Sequence, residues 1–358
     1  MQKVLLIDYY GMCDRDGKAL GHSPKVLEEY RELIGDEYDV GVAASPCLIE
    51  GAKGRFCDKY VLKYNIYSEN EMSVGKRIKD KFMLLSNINQ VLRISGYDIF
   101  WFYKTDFFLF FFLCFKNLRN KKKHTKFMAQ IYQADFGQGR LGSVLNWFYQ
   151  KGMQKLDGIT YAQKEMEGLH PNMLYFPDYY YEENLYKRYA QMKKTEKAVC
   201  LGTMNTYKKL DELIDAFQRN GYSLEIRGFF YDKSYYERLS HKLAPNIILE
   251  DTILTEEEYY EALAGAKYTV LPYDMKQYKC RTSGVLIESL FVNTIAIAPE
   301  QLLRENQIEG IGYQSIEELS DPSVFKQEYV LHNNERKKEF DKEELGRKLE
   351  DFMKQLIF

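Results

Sequence analysis

Short apolar runs recur along the chain, and most are followed by a glycine or proline and then by a stretch whose apolar residues fall three and four apart. Residues 4–7, Val-Leu-Leu-Ile, form the first run, 38–43 the second and 97–102 a third, with helical spacing across 74–92. Runs at 130–132, 156–161 and 173–176 continue the series. An unbroken apolar run of this length predicts a strand buried on both faces, and helical spacing between such strands predicts the crossovers of a parallel sheet. After the first run a loop holding Gly11, Gly17 and Gly21 leads to Ser23-Pro24, a helix start in which the proline lacks only an amide hydrogen that the first turn leaves unpaired.

A polar, tyrosine-rich stretch at 177–196 interrupts this pattern and is expected to link two domains. The alternation then resumes. Ala198 to Leu201 ends at Gly202, and Leu210, Leu213, Ile214 and Phe217 fall on one helical face. A run at 224–226 ends at Gly228, another follows at 247–249, and Thr255-Glu-Glu-Glu258 spells a capping box. Runs at 268–271 and 294–298 stop at Pro272 and Pro299 on either side of a helix predicted for 281–290. Phe340, Leu345, Leu349, Phe352, Met353 and Leu356 lie on one face of a long C-terminal helix. The expected architecture is α/β, with two Rossmann-like, doubly wound parallel-sheet domains: 1–176, a linker at 177–196, 197–334, and a helix over 335–358 whose apolar face needs a partner.

Composition narrows the function classes. The 358 residues are 45% hydrophobic and 28% charged, ordinary for a soluble globular chain, and the net charge of −2 argues against a dedicated nucleic-acid partner. Six scattered cysteines form no C-x-x-C pair or zinc-spaced cluster, so a reducing cytoplasm and no metal site are expected. The four-residue apolar run before Asp8 is too short for a signal-peptide core, and no segment is long enough to span a bilayer. Nine apolar residues, Phe107 to Phe115, stand beside Lys116, Arg119, Lys121, Lys122, Lys123 and Lys126. They read either as a core helix followed by an exposed basic turn, or as a segment, 107–126, that holds the protein at an anionic membrane surface.

In open parallel sheets ligands bind beyond the carboxyl ends of the strands, where helix N-termini face anionic groups. In the second half those ends are Gly202, Gly228, Leu249 and Pro272. The first loop brings Lys208 and Lys209 to a helix start; the last brings Lys279, Arg281, Thr282, Ser283 and Gly284. Together these cations and amides suit a diphosphate.

The hundred residues from Cys200 to Pro299 resemble the donor domain of GT-B glycosyltransferases, especially the large retaining family that builds bacterial surface polysaccharides. CLGTMNTYKKLDELIDAF resembles its strand-glycine-lysine-helix segment, LEIRGFF the next strand and glycine, ILEDTILTEEEYYEALAGAKYTVLPY the base-contacting loop with its helix and strand, and RTSGVLIESLFVNTIAIAP the donor helix. The resemblance implies two domains facing a central cleft, a C-terminal helix over 335–358 packing back on the first domain, and a nucleotide-sugar donor held by Gly202, Thr203, Lys208, Gly228, Cys280, Arg281, Thr282, Ser283, Gly284 and Glu288. Lys208 takes the place of the phosphate-binding lysine and Glu288 that of the ribose-binding carboxylate. The family often has arginine where Thr203 stands, and glutamate where Cys280 stands. In the first half, the glycine-rich loop is implied to face the donor, making Asp14, Asp16, His22 and Asp135 the catalytic candidates. The expected activity is metal-independent hexosyl transfer, without a cofactor, to a glycan or lipid-linked acceptor, in the cytoplasm or at the inner membrane face. Two other readings stay open: a non-catalytic nucleotide- or glycan-binding module on the same shell, and a nucleotide-sugar epimerase.

Overall fold

The computed structural model describes all residues except 14–22, 53, 68–73, 117, 119–123, 133–134, 136–138, 206–207, 279–282, 327–328 and 333. The chain divides into two units, Met1–Asp178 with Lys342–Phe358, and Tyr179–Asp341. The first contains β1 (Gln2–Asp8), β2 (Met12–Cys13), β3 (Tyr38–Ala44), β4 (Lys59–Val61), β5 (Ile66–Tyr67), β6 (Ile99–Phe102), β7 (Lys126–Ile131), β8 (Gly158–Tyr161) and β9 (Met173–Tyr175). Its helices include α1 (Ser23–Ile34), α2 (Val74–Val91), α3 (Phe107–Cys114) and α4 (Gly139–Met153). Seven strands form one parallel sheet in the order β4-β3-β1-β6-β7-β8-β9, while β2 pairs with β5. The last five residues of β1 are buried, as an apolar run between two helical layers requires.

The second unit contains α5 (Glu183–Ala190), β10 (Thr195–Leu201), α6 (Leu210–Asn220), β11 (Leu224–Gly228), β12 (Ile247–Asp251), α7 (Glu256–Gly265), β13 (Ala266–Val270), α8 (Gly284–Phe291), β14 (Ile295–Pro299) and β15 (Gly310–Tyr313). Its parallel sheet runs β12-β11-β10-β13-β14-β15, so strand order reverses between β10 and β13. Successive residues of β10 serve two cores: Ala198 and Cys200 pack on one face of the sheet, Val199 and Leu201 on the other. The four apolar residues predicted for one face of α6 are all buried, and the helix stops at Gly221 in the left-handed conformation (φ 71°). Both reciprocal bonds of the Thr255/Glu258 capping box are present at α7.

Two boundaries differ from expectation. The stretch 177–196 carries α5, whose Tyr186 and Tyr189 are buried in the second core, and Lys194 donates to Ala264 O, Val292 O and Thr294 Oγ1 at 2.7, 2.9 and 2.8 Å. Its tyrosines act as core residues, which a reading of the stretch as polar overlooks. Near the other end, Phe340 is buried against Phe291 in the second core, so the second unit extends to Asp341.

The last helix, α9 (Lys342–Ile357), belongs to the first unit. It buries Leu345, Leu349, Phe352, Met353 and Leu356 and packs on α1 and β9. A Cβ on Gly158 would stand 2.7 Å from Leu356 Cδ1 and 2.9 Å from Phe352 Cζ, so glycine lets α9 approach β8. Leu349 is fully buried in this contact. Leu349→Ala is expected to destabilise the first unit by about 2–5 kcal/mol, the cost of a core leucine truncation. Chemical denaturation curves of the variant and the native chain measure this; superimposable curves would show that α9 is not integral to the unit.

Candidate active site

At the carboxyl edge of the second sheet, three loops are locked together where strand order reverses. Gly202, just after β10, has φ 95°, a conformation open to glycine. Its carbonyl oxygen lies 1.7 Å from where a Cβ of Gly228 would stand, so the β10 and β11 loops approach at a distance only a second glycine permits. The β13 loop joins through the backbone: Lys208 bridges to Tyr273, and Lys209 N donates to Pro272 O at 2.8 Å.

Within this junction Lys208 is only 5% exposed. Its Nζ donates to Leu201 O at 2.7 Å, lies 3.7 Å from Met204 Sδ and 5.9 Å from the centre of the Tyr273 ring. No carboxylate among the described residues forms an ion pair with it, and burial pushes its pKa down. A Cβ on Gly202 would be 3.9 Å from this ammonium and 3.8 Å from Val285 Cγ2 in the first turn of α8. The structure therefore gathers Gly202, Gly228, Lys208 and the start of α8 at one point. An ammonium buried with one carbonyl acceptor has donors left for an anion.

Ser283 caps α8 by accepting from Leu286 N, and the Tyr273 hydroxyl lies 3.1 Å from Ser283 Oγ. Gly284 is covered by Tyr179, whose hydroxyl would be 2.4 Å from an added Cβ. One turn further, buried Glu288 accepts from Tyr259 at Oε2 (2.5 Å) and from Tyr260 at Oε1 (3.0 Å), and Tyr260 in turn meets the Tyr186 hydroxyl at 3.0 Å. Burial and then the charge of Glu288 raise both α7 phenols far above the usual tyrosine range, so they stay protonated donors. Thr203 is exposed. Cys280, Arg281 and Thr282 lie outside the described residues.

The tyrosines of this shell were not anticipated. Their one sequence signal is position: Tyr259-Tyr260 opens the apolar face that Leu263 continues on α7.

In the first unit, Asp14, Asp16 and His22 lie outside the described residues, and Asp135 is exposed. A different acidic cluster occupies the carboxyl edge of that sheet. Fully buried Asp8 accepts from Tyr10 N and Gly11 N through Oδ1 and from the Tyr103 hydroxyl at 3.0 Å through Oδ2. Tyr132 donates to Tyr103 O at 2.7 Å, and Tyr30 donates to Asp178 Oδ1 at 3.0 Å. Burial holds the Asp178 carboxyl up at about 6, against the hydrogen bonds of Tyr30 and Tyr132. These groups come from the end of β1, α1, the loops after β1, β6 and β7, and the unit boundary, so no sequence spacing unites them.

No family model and no curated protein matches the sequence. Solved structures do match over nearly its whole length. AviGT4, a glycosyltransferase involved in avilamycin A biosynthesis, is 12% identical with a TM-score of 0.58, covering 99% of this chain and 98% of that one. HepE from Anabaena, in complex with UDP, is 11% identical with a TM-score of 0.56, covering 100% and 96%. A UDP-forming α,α-trehalose-phosphate synthase from Burkholderia xenovorans, in complex with glucose-6-phosphate, is 8% identical with a TM-score of 0.65, covering 99% and 100%. The shared property is the fold, two parallel-sheet α/β domains of the GT-B glycosyltransferase type.

The half-buried Asp178 carries a pH signature. Its folded pKa, about 6, is above the ordinary value of 3.8, so the folded state holds the proton more tightly and stability falls as pH rises between those values. Asp178→Asn removes that titration. Relative to the native chain, the variant is expected to gain about 3 kcal/mol between pH 3.5 and pH 7. Urea denaturation of both proteins at the two pH values checks it; a constant difference would mean that Asp178 titrates normally.

Proposed function

We propose that this GT-B chain is a glycosyltransferase that moves a sugar from a nucleoside-diphosphate sugar to a glycan or lipid-linked acceptor in surface polysaccharide synthesis. The observation that carries the reading is the Lys208 ammonium, buried beside Gly202 and the first turn of α8, the helix that bears Glu288, with no carboxylate paired to it among the described residues. The cation and the α8 amides, with Arg281 beside them in sequence, meet the diphosphate charge. Glu288 accepts from the ribose hydroxyls, because a carboxylate can accept from two adjacent hydroxyls at once. HepE, which shares this fold, is in complex with UDP, and that supports a nucleotide ligand.

In the reaction the bond from the anomeric carbon to the diphosphate oxygen breaks, its electron pair stays on that oxygen, and the acceptor oxygen bonds to the carbon. The acceptor proton passes to a side chain among Asp14, Asp16, His22 and Asp135 if configuration inverts, or to the leaving phosphate if it is retained. We place the protein in the cytoplasm, at the inner membrane face. Because Lys208 and Arg281 already supply positive charge, transfer is proposed to need no divalent cation or cofactor. Asp14 and Asp16, spaced as Asp-x-Asp, are the carboxylates a cation would require, so activity retained in excess chelator supports metal independence and activity restored by magnesium or manganese refutes it.

Cys280, where the resembled family has glutamate, favours the second reading, a binding module without transferase activity. Transfer, simple hydrolysis and no turnover of a donor panel distinguish the alternatives, and an isomerised donor without acceptor would reveal an epimerase.

Three substitutions test the site. Lys208→Ala and Arg281→Ala should each weaken nucleoside-diphosphate binding by about 1–3 kcal/mol, the scale of a charge-assisted hydrogen bond. Glu288→Gln should reduce the preference for ribo- over 2′-deoxyribonucleoside diphosphates while keeping the native melting temperature. Calorimetric titration, starting with UDP, measures all three; unchanged affinities in both cation variants would remove the diphosphate site.

A further inference from the structure

The transfer reading leaves one surface of the first unit unused. The helix α3 packs against both α2 and α4. Leu109, Phe110 and Leu113 of α3 are buried, but its other aromatic residues join an outer band. Phe112 lines an open groove with Phe82 and Leu85 of α2, the Phe111 ring lies 4.9 Å from Phe148 of α4, and Phe148 lies 4.8 Å from Trp147. Ile78, Phe82, Phe115, Leu141, Val144 and Trp147 are each more than half exposed. They are six of the fourteen exposed large hydrophobic side chains among the described residues, gathered on three helices, whereas scattered exposed hydrophobics would need no explanation.

Charge is segregated on the same helices. Residues 74–93, 107–116 and 139–156 contain nine lysines and arginines and one acid, Asp80, which is buried; of the acids at their borders, Asp106 caps α3 and pairs with Lys81 at 3.5 Å, and Asp157 accepts from Phe127 N, whereas the whole chain has 50 basic and 52 acidic residues. Lys81 Nζ lies 4.0 Å from the centre of the Phe108 ring and Lys116 Nζ 4.7 Å from that of Phe112, so the basic stems lie along the aromatic band. Lys79, Arg93, Arg140 and Lys151 are exposed. Apolar side chains with an almost uniformly basic surround match anionic headgroups above hydrocarbon. A nucleic acid would account for the charge but not for Ile78, Leu141 and Val144; an apolar protein partner would account for those but not for the charge.

We propose that the outer face of α2, α3 and α4 docks on an anionic lipid bilayer, with Phe82, Phe115 and Trp147 entering the headgroup region. Docking of this kind is independent of the transfer reaction. It adds α2 and α4 to the contact expected at 107–126, of which Arg119, Lys121, Lys122 and Lys123 lie outside the described residues.

The chain has two tryptophans, and Trp101 is fully buried, so lipid-induced emission changes report Trp147. The full chain is mixed with vesicles of phosphatidylcholine alone or with phosphatidylglycerol. Co-sedimentation and a blue shift with the mixed vesicles, both weakened by salt, are expected. Lys79→Gln/Arg140→Gln/Lys151→Gln should lower vesicle affinity roughly ten- to a hundredfold, Phe82→Ser/Trp147→Ser should lower it similarly, and Trp147→Phe should abolish the shift while leaving most of the binding. All of these positions are exposed, and unchanged melting temperatures confirm intact folds. Absence of both signals at low salt, equal binding of native and charge-depleted proteins, preference for duplex RNA over the mixed vesicles, or lipid-free self-association that shifts Trp147 would overturn the proposal.

Discussion

An ammonium group held almost out of water, without a counter-anion among the described residues, is the constraint around which the second unit's edge is arranged. Burial disfavours the charged form of Lys208, and one carbonyl, a thioether and a distant ring do not replace its hydration. The backbone tolerates the arrangement because Gly202 takes a positive φ and Gly228 leaves room for the Gly202 carbonyl. The Tyr273 bridge then fixes the lysine's backbone from the β13 side. An anion here would meet a cation whose position is already set, and little ordering would offset the gain.

Glu288 is built on the opposite principle, a charge with its partners in place. Two phenols fix both oxygens, and Tyr186 holds one of those phenols in turn. The support for this carboxylate therefore starts in α5, inside the stretch that the sequence pattern marked as a linker. A polar-looking segment at a domain boundary turns out to carry part of the site's rigidity.

Legibility in the sequence followed burial on two sides. Strands buried on both faces, such as β1 and β10, show as unbroken apolar runs, and their order places Lys208 and Glu288 at loop and helix positions without further information. A tyrosine ring that fills a core also ends in a hydroxyl, so the sequence of α5 looks like a polar linker; Phe340 shares the apolar spacing of the last helix although it packs in the second core. The Asp8 and Asp178 cluster was invisible because its members meet only in three dimensions. For α2 and α4, apolar spacing predicts a helix but not which face meets the core, so Phe82 and Trp147 look like ordinary packing residues until the sheet is in place.

The net charge of −2 conceals two unlike kinds of positive charge. Lys208 is a single buried cation, little screened by salt and able to discriminate among ligands by geometry. The basic residues on and just after α2, α3 and α4 are mostly exposed, and each contributes weakly and is readily screened; their effect lies in their number and in their excess over the few acids beside them. Such a surface has no fixed geometry with which to select a small anion, but it sums over an extended charged plane. The two arrangements therefore answer to different variables: the first to the structure of the ligand, the second to ionic strength and to the charge density of the surface it meets.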